Sequence, residues 1–573
     1  MTKKKWVLKN QDRDKISKLI SLYGLSPIVA QVLQSREALL QNGIDDLKNP
    51  SLENLHDPFL LRNMDAAVSR IETAMEHGQK ITIYGDYDVD GVTSSTVLYK
   101  YLSDKGVVPE IYIPDRLKEG YGINNEALKK IKDGGTSLVI SVDTGIVAVE
   151  NTEYASSIGL DVIITDHHEP KDAVPRCEAV INPKQSGCSY PFKDLSGVGV
   201  AFKLIHALEI SLAAKRKGRP FNLADIEKYI PFVCLGTIAD VAPLVGENRI
   251  LVKFGLEMLP KCENAGVKAI ISAAKLENKK INVGNVGFTI APRLNVAGRL
   301  GSAYKAVEVF LCDDYERAVE NSNFLTAENV RRQNIEAEIY AQAVEKIEKD
   351  ELHKKNIIIV EGKDWHHGVI GIVSSKITDR YCKPSILLVE EGDFSRGSGR
   401  SVKHINLFEA VNKFSSMLSK FGGHSMAVGL TIEHQRISEF YEALDEYIGD
   451  IASDEDSVPV ISVDAEIPVR DVTLENAKSI RILEPFGIGN TAPVFLVSGV
   501  RIKFISAFSE GKHLRLQVVK QGMSINVIGF SMGHMVKNLR MGEYVDILGV
   551  LDVNEYNGEE YVQLLLKDLR KVK

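Results

Sequence analysis

The stretch ITIYGDYDVDGVTSSTVLYKYLSDKG, residues 81–106, changes grammar halfway. Its first four residues are β-branched or aromatic and read as a short strand, and its last fifteen read as a helix. Between them Asp86, Asp88 and Asp90 stand at alternate positions. In extended backbone such residues point the same way, so the three carboxylates would repel one another unless a cation sat among them. An EF-hand also opens D-x-D-x-DG, but no helix precedes this segment and the twelfth loop position is Val97 rather than an acid.

Four further runs extend the pattern: EIYI (110–113), LVISV (138–142), VIIT (162–165) and AVIN (179–182). Short β-branched runs alternating with helical stretches describe a parallel α/β sheet, whose ligands sit beyond the carboxyl ends of the strands. LVISV runs into Asp143, and VIIT into Asp166, His167 and His168; farther along, the apolar PFVCLGTIADVAP delivers Asp240. Singly, an Asp at a strand end is more often a helix cap or turn former, and a His pair more often a hydrogen-bonding couple. Packing gives no reason to gather so many titratable groups at one sheet edge. Carboxylates and imidazoles without a thiolate suit Mn²⁺ or Mg²⁺ better than a structural zinc.

The chain of 573 residues exceeds what one hydrophobic core supports. An N-terminal helical segment (1–75) precedes the first α/β domain (76–312). A long charged helix (313–353) leads to a second α/β domain (354–453) ending in the acidic SDEDS, residues 453–457. Residues 458–573 carry five strand-like runs with a helical stretch, MGHMVKNLRMG, after the third, which suggests an OB-type barrel of the sort that holds single strands. That segment is near neutral, with 14 Lys and Arg against 13 Asp and Glu, while the whole chain carries a net −7. A carboxylate site brings its own cations, so the negative sum does not exclude a nucleic-acid partner.

Six cysteines (177, 188, 234, 262, 312 and 382) show no CxxC pair, which argues against a zinc knuckle or a disulfide framework. The N-terminus lacks a signal-peptide pattern, and no uninterrupted apolar run approaches the length of a membrane span. The reading is a cytoplasmic protein without membrane contact.

Several downstream segments suit an anion. KFGGHSMAVG holds Gly422, Gly423 and His424, where paired glycines let backbone amides approach a phosphate. SRGSGRS (395–401) carries Arg396, Ser398 and Arg400, and APRLNVAGRL (291–300) carries Arg293 and Arg299; arginine forks match phosphate oxygens, although surface solvation competes for each one. WHHGVIGIVSSKI places His366 and His367 at a strand-to-helix junction.

The segments YGDYDVDG, SVDTG, TDHHEP and GTIAD resemble the successive motifs of the DHH phosphoesterases, and GGH at this distance resembles the DHHA1 domain that accompanies them. The resemblance implies that Asp88, Asp90, Asp143, His167 and Asp240 ligate two Mn²⁺ or Mg²⁺ ions, with Asp143 bridging. Asp86 would be a further ligand at a position where relatives vary, and His168 would face the scissile phosphate. The arginine-bearing segments, with PDRLKEGYG (114–122) and its Arg116, resemble the RecJ-like branch in particular. That likeness implies that Arg116, Ser398 and Arg400 hold a 5′-terminal phosphate. It also implies a processive 5′→3′ exonuclease on single-stranded DNA that serves DNA repair and recombination, with a helicase and a single-strand-binding protein as partners. The barrel would feed the strand into a cleft between the two α/β domains.

Two other readings stay open: a DHH phosphodiesterase for short oligonucleotides or cyclic dinucleotides, and a catalytically inactive DNA-binding scaffold. The oligomeric state and the role of the first 50 residues are not set by the sequence.

Overall fold

A computed structural model describes residues 4–40, 43–116, 119–120, 122–216, 220–452 and 459–572. The acidic SDEDS segment and part of PDRLKEGYG lie outside the described residues. The chain folds into two compact units, one made of residues 6–114, 121–291 and 461–573, the other of residues 1–5, 115–120 and 292–460.

The larger unit is organised by the strands β1 (Ile81–Tyr84), β2 (Glu110–Tyr112), β3 (Leu138–Val142), β4 (Asp161–Thr165) and β5 (Ala179–Ile181). They form one sheet in the order β2-β1-β3-β4-β5 with every pairing parallel. All of β1 and β3 is buried, as expected of strands covered on both faces, so their sequences run apolar without alternation. Helix α1 (Val89–Asp104) follows β1 and packs on α2 (Gly197–Lys215) and α3 (Ile230–Ala239). At 19 residues α2 is long and apolar enough to cross a membrane, although charged and polar residues interrupt its apolar run. Most of it is buried in the unit, and its apolarity is that of a core helix.

That core also holds a charge pair. Lys203 on α2 and Glu247, at the start of α4 (Gly246–Met258), are both fully buried, with Nζ 3.1 Å from Oε1. Lys203 also donates to the His56 carbonyl, while Glu247 accepts from the Tyr190 hydroxyl and the His56 N–H. Removing one partner strands the other charge in an apolar interior. Lys203→Met is therefore expected to lower unfolding free energy by about 3–5 kcal/mol, with Lys203→Met/Glu247→Gln recovering part of it. Urea denaturation measures both, and an unchanged midpoint for the single variant would contradict this role.

The N-terminal segment is mainly helical, with helices at Arg13–Tyr23, Pro27–Leu33 and Met64–Glu76, but Lys5–Leu8 form a strand that the sequence reading did not anticipate. Arg36, buried, grips both oxygens of buried Asp464 at 3.3 and 2.9 Å. This fixes the segment to the approach of the barrel.

The barrel strands belong to the same unit. They are numbered after the five of the smaller unit: β11 (Phe495–Phe508), β12 (His513–Lys520), β13 (Met523–Gly529), β14 (Tyr544–Tyr556) and β15 (Glu559–Lys571). The order β11-β12-β13-β15-β14 closes because β14 pairs back onto β11. The helical stretch expected after the third strand is a 3₁₀ turn, Gly533–Asn538.

In the smaller unit the long helix α5 (Tyr315–Lys349) precedes β6 (Ile358–Gly362), α6 (His367–Tyr381), β7 (Ser385–Glu391), β8 (Phe394–Arg400), β9 (Leu418–His424), β10 (Ala427–Glu433) and α7 (Ile437–Ile451). The sheet runs β9-β10-β8-β7-β6, and only β6 and β7 pair in parallel. Alternation along its strands feeds two cores. Ile358, Val360, Leu387 and Val389 pack with α5 and α6, while Ile359, Ile386 and Leu388 pack with α7.

Candidate metal centre and phosphate pocket

The DYDVD segment is not extended. Asp86 follows the end of β1, Asp88 is the N-cap of α1, and Asp90 lies in its first turn. Asp88 Oδ1 accepts the N–H groups of Asp90 and Gly91 at 2.9 and 3.1 Å, so the same residue caps a helix and still presents its second oxygen. The tightness of the turn requires glycine at 91, where a Cβ would lie 2.5 Å from the Asp86 carbonyl oxygen. The three carboxylates gather by folding back, not by alternation.

Asp90 is fixed from 107 residues away. Its Oδ2 accepts the Gly197 N–H at 2.7 Å and its Oδ1 the Val198 N–H at 2.8 Å, both from the N-terminus of α2. Asp143 stands directly after β3 with φ +61, a left-handed conformation uncommon for a non-glycine residue. A Cβ at Gly197 would sit 2.3 Å from Asp143 Oδ1, so that glycine makes room for the carboxylate. Asp240 is the C-cap of α3.

Around His167 these groups converge. Its Nε2 is 3.1 Å from Asp143 Oδ1 and 3.9 Å from Asp90 Oδ2, and its Nδ1 is 3.9 Å from Asp240 Oδ2. Three sets of donor atoms each fall within 4.8 Å: Asp86, Asp88 and Asp143; Asp143, His167 and His168; Asp90, His167 and Asp240. Burial, followed by the charges of Asp240 and Asp88, raises Asp90; burial and the surrounding carboxylates likewise raise Asp143. Asp240 is pushed to about 7 by burial and Asp88, against the pull of His168 and Lys184. Burial and the neighbouring His168 press His167 down to about 3, so it is a neutral imidazole.

Neutral His167 Nε2 and Asp143 Oδ1 face each other, buried, and neither makes a hydrogen bond. Lone pairs aimed at one small volume amid raised carboxylates lack a positive charge, which a hard divalent cation supplies. The donor set fits Mn²⁺ or Mg²⁺.

His168 differs from its neighbour. Its Nδ1 donates to Asp166 Oδ1 at 2.7 Å, an oxygen that also accepts the N–H groups of His167 and His168, while Asp166 Oδ2 accepts from Ile146. Burial lowers the His168 pKa, but the Asp166 hydrogen bond and charge, with Asp240 and Asp86 beyond, outweigh it and hold it at about 9. The ring is cationic at neutral pH. Asp166 is among the titratable groups read at the strand end, with no role assigned to it there, whereas Gly197 and Val198 are site residues with no sequence signal linking them to Asp90.

The smaller unit contains a cavity of about 380 Å³ lined by Arg116, His367, Arg396, Ser398 and Gly422, among others. SRGSGRS is a strand, β8, so Arg396, Ser398 and Arg400 share one face and Gly397 and Gly399 turn to the core. Arg400 Nη1 lies 3.4 Å from Ser398 Oγ, and burial together with the Arg116 charge lowers its pKa. A guanidinium beside a serine hydroxyl, with a second guanidinium near enough to lower its pKa, suits a phosphate.

Of the other expected residues, Gly422 lines this cavity. His366 is the N-cap of α6, its Nδ1 accepting from Gly368 N–H at 3.0 Å, and the cavity takes His367 instead. GGH is not a turn: Gly422, Gly423 and His424 end the edge strand β9, and His424 Nδ1 accepts from Met426. Arg299 donates to the Gly368 carbonyl at 3.3 Å, and Arg293 is half-buried on the short helix Ala291–Asn295.

Three family models match the chain in succession: the N-terminal domain of the DHH family over residues 80–237, the DHHA1 domain over 354–450 and the RecJ OB domain over 463–568. With the carboxylate and histidine cluster at the sheet edge, they make this a phosphoesterase of the DHH–DHHA1 class. Among its relatives, the single-stranded-DNA-specific exonuclease RecJ of Bacillus subtilis is 37% identical over 99% of this chain and 71% of its own length. The RecJ of Escherichia coli is 31% identical over 89% and 90%. The crystal structure of RecJ in complex with Mn²⁺ from Thermus thermophilus superposes with a TM-score of 0.85 at 27% identity, covering 99% of this chain and 80% of that one. The chain belongs to the RecJ family.

Proposed function

We propose that this chain is a Mn²⁺- or Mg²⁺-dependent exonuclease that hydrolyses single-stranded DNA from the 5′ end and releases 5′-mononucleotides. The observation that carries the reading is the convergence of Asp86, Asp88, Asp90, Asp143, Asp240 and neutral His167 at the carboxyl ends of one parallel sheet. RecJ relatives bear the exonuclease name, and solved RecJ structures hold Mn²⁺ or Mg²⁺.

Two ions held by these residues would supply a nucleophile from water at neutral pH and neutralise charge building on the phosphate. Asp143, between the two clusters of carboxylates, would bridge. Asp90 is kept in register by the amides of α2, and Asp166 orients the His168 ring so that its remaining N–H meets a phosphate oxygen. In the smaller unit Arg116, Ser398 and Arg400 would take the terminal phosphate and so set polarity.

The barrel supports a strand substrate. Phe508, His513 and Phe530 contact in succession, tilted and then edge-on, at 5.1 and 5.3 Å between ring centroids, and the Arg515 guanidinium lies 5.2 Å over Phe508. Phe530 is largely exposed, and aromatic rings beside cations hold bases without regard to sequence. The protein would act in the cytoplasm in DNA repair and recombination, with a helicase opening duplex ahead of it and a single-strand-binding protein presenting the strand.

The test uses purified protein with single strands labelled at either end, and the matching duplex, in Mn²⁺ or EDTA. Mononucleotides should leave the 5′ label at once, with duplex spared and EDTA abolishing release. Internal cuts, loss from the 3′ end first, or activity in EDTA would contradict the proposal.

A further inference from the structure

Away from the carboxylate cluster, the larger unit contains a second cavity of about 660 Å³, within the range of small-molecule sites. It lies between the end of α4, the segment around residues 280–284 and the stretch 481–486 that leads towards the barrel. Lys253, Lys261, Lys280 and Arg481 line it, and among the described residues none of the four side chains has a carboxylate at salt-bridge distance. The surface between them is apolar, with Ile281 buried, Leu256 and Val283 half-buried and the ring of Phe486 half-exposed.

Lys261, Lys280 and Arg481 are exposed and Lys253 is half-buried, and all four line one concavity. Lys253 is half-buried, and burial, then Arg249, lowers its pKa against the longer-range pull of Glu257 and Glu484. The fold thus keeps a partly desolvated cation with no carboxylate at salt-bridge distance, at a cost that a bound anion would offset. Two acids line the cavity, Glu257 and Glu484, so its lining has an excess of two positive charges.

We propose that this cavity binds a nucleoside polyphosphate, its phosphates on Lys253, Lys261, Lys280 and Arg481 and its base on the Phe486 ring. The ligand must bring several negative charges together with a flat apolar body. A nucleotide concentrates both in a small volume, whereas an acidic peptide spreads its carboxylates over an extended chain at about 3.3 Å per residue. Aromatic stacking with charge-assisted contacts is a recurrent way to hold such molecules. The site is independent of the nuclease reading, because none of its residues lies in the carboxylate cluster or the arginine cavity.

The experiment is equilibrium dialysis of the full chain with ATP in EDTA, which keeps divalent ions from bridging the triphosphate to the carboxylates. Saturable binding of one ATP is expected, weakened at least about tenfold in Lys253→Gln/Arg481→Gln and unaltered in Arg400→Gln. Adenosine and inorganic tripolyphosphate should each bind at least about tenfold more weakly than ATP. The double variant should keep the wild-type melting temperature and rate of nucleotide release, which separates failure here from failure of the nuclease. No saturation below about 1 mM, equal binding by tripolyphosphate, undiminished binding by the double variant, or loss in Arg400→Gln would each overturn the proposal.

Discussion

Asp143→Asn is expected to cut Mn²⁺-dependent nucleotide release by at least about 10³-fold, equivalent to about 4 kcal/mol of transition-state stabilisation, while the protein stays folded. Asparagine tolerates the left-handed φ of +61 at this position better than alanine does, so the substitution removes charge without disturbing the turn after β3. It leaves His167 Nε2 without its anionic companion and separates the Asp86–Asp88 group from the Asp90–Asp240 group. The half-saturating Mn²⁺ concentration should rise as well.

The same variant has a signature in stability. Buried among carboxylates, Asp143 has a folded pKa above its unfolded one, and Asp240 stands at about 7 against an ordinary 3.8. Across this range these two carboxylates hold protons in the folded chain that they have lost in the unfolded one. Without metal, their own contribution to stability therefore falls as pH rises from about 4 towards 7, while His167, held near 3, acts in the opposite sense. Thermal melts in EDTA across that window should show wild type losing more than Asp143→Asn, with Mn²⁺ restoring wild type by binding only the folded state. A rate within tenfold of wild type would remove Asp143 from the ligand set.

His168→Gln should act on another step. Its kcat is expected to fall by about 10²–10³, within the span attributed to a positioned proton donor, with the half-saturating Mn²⁺ concentration unchanged. The ring is held cationic by Asp166 and stands at the edge of the ligand groups. If His168 were a tight metal ligand, Mn²⁺ affinity would drop with the rate. Metal titrations of both variants separate the roles.

Much of this was legible in the sequence because strands buried on both faces leave uninterrupted β-branched runs, and parallel sheets present their chemistry where such runs end. ITIY, LVISV and VIIT marked Asp86, Asp143 and His167 for that reason. Five apolar alternations announced the barrel.

Tertiary structure supplied the rest. Nothing local states that Asp90 is gripped by Gly197 and Val198, or that Gly197 is small to clear Asp143. DYDVD read as extended because alternating carboxylates suit a strand, yet the helix cap at Asp88 overrides that pattern. SRGSGRS read as an arginine-bearing segment, and nothing in it says where its glycines face. They are positions where Leu388, Ile386 and Val428 leave no room for a side chain. The sequence reading takes His366 rather than His367 for the anion, but His366 caps the helix and His367 lines the cavity, because which of two adjacent residues caps a helix depends on where the helix starts.

Everything rests on paired divalent cations at the sheet edge. Crystals of the protein grown with Mn²⁺, measured at the manganese absorption edge, locate them directly. The account predicts two anomalous peaks about 3.5–4 Å apart, with Asp143 touching both and His167 and Asp240 among their ligands. A single peak, or peaks away from these side chains, would contradict it.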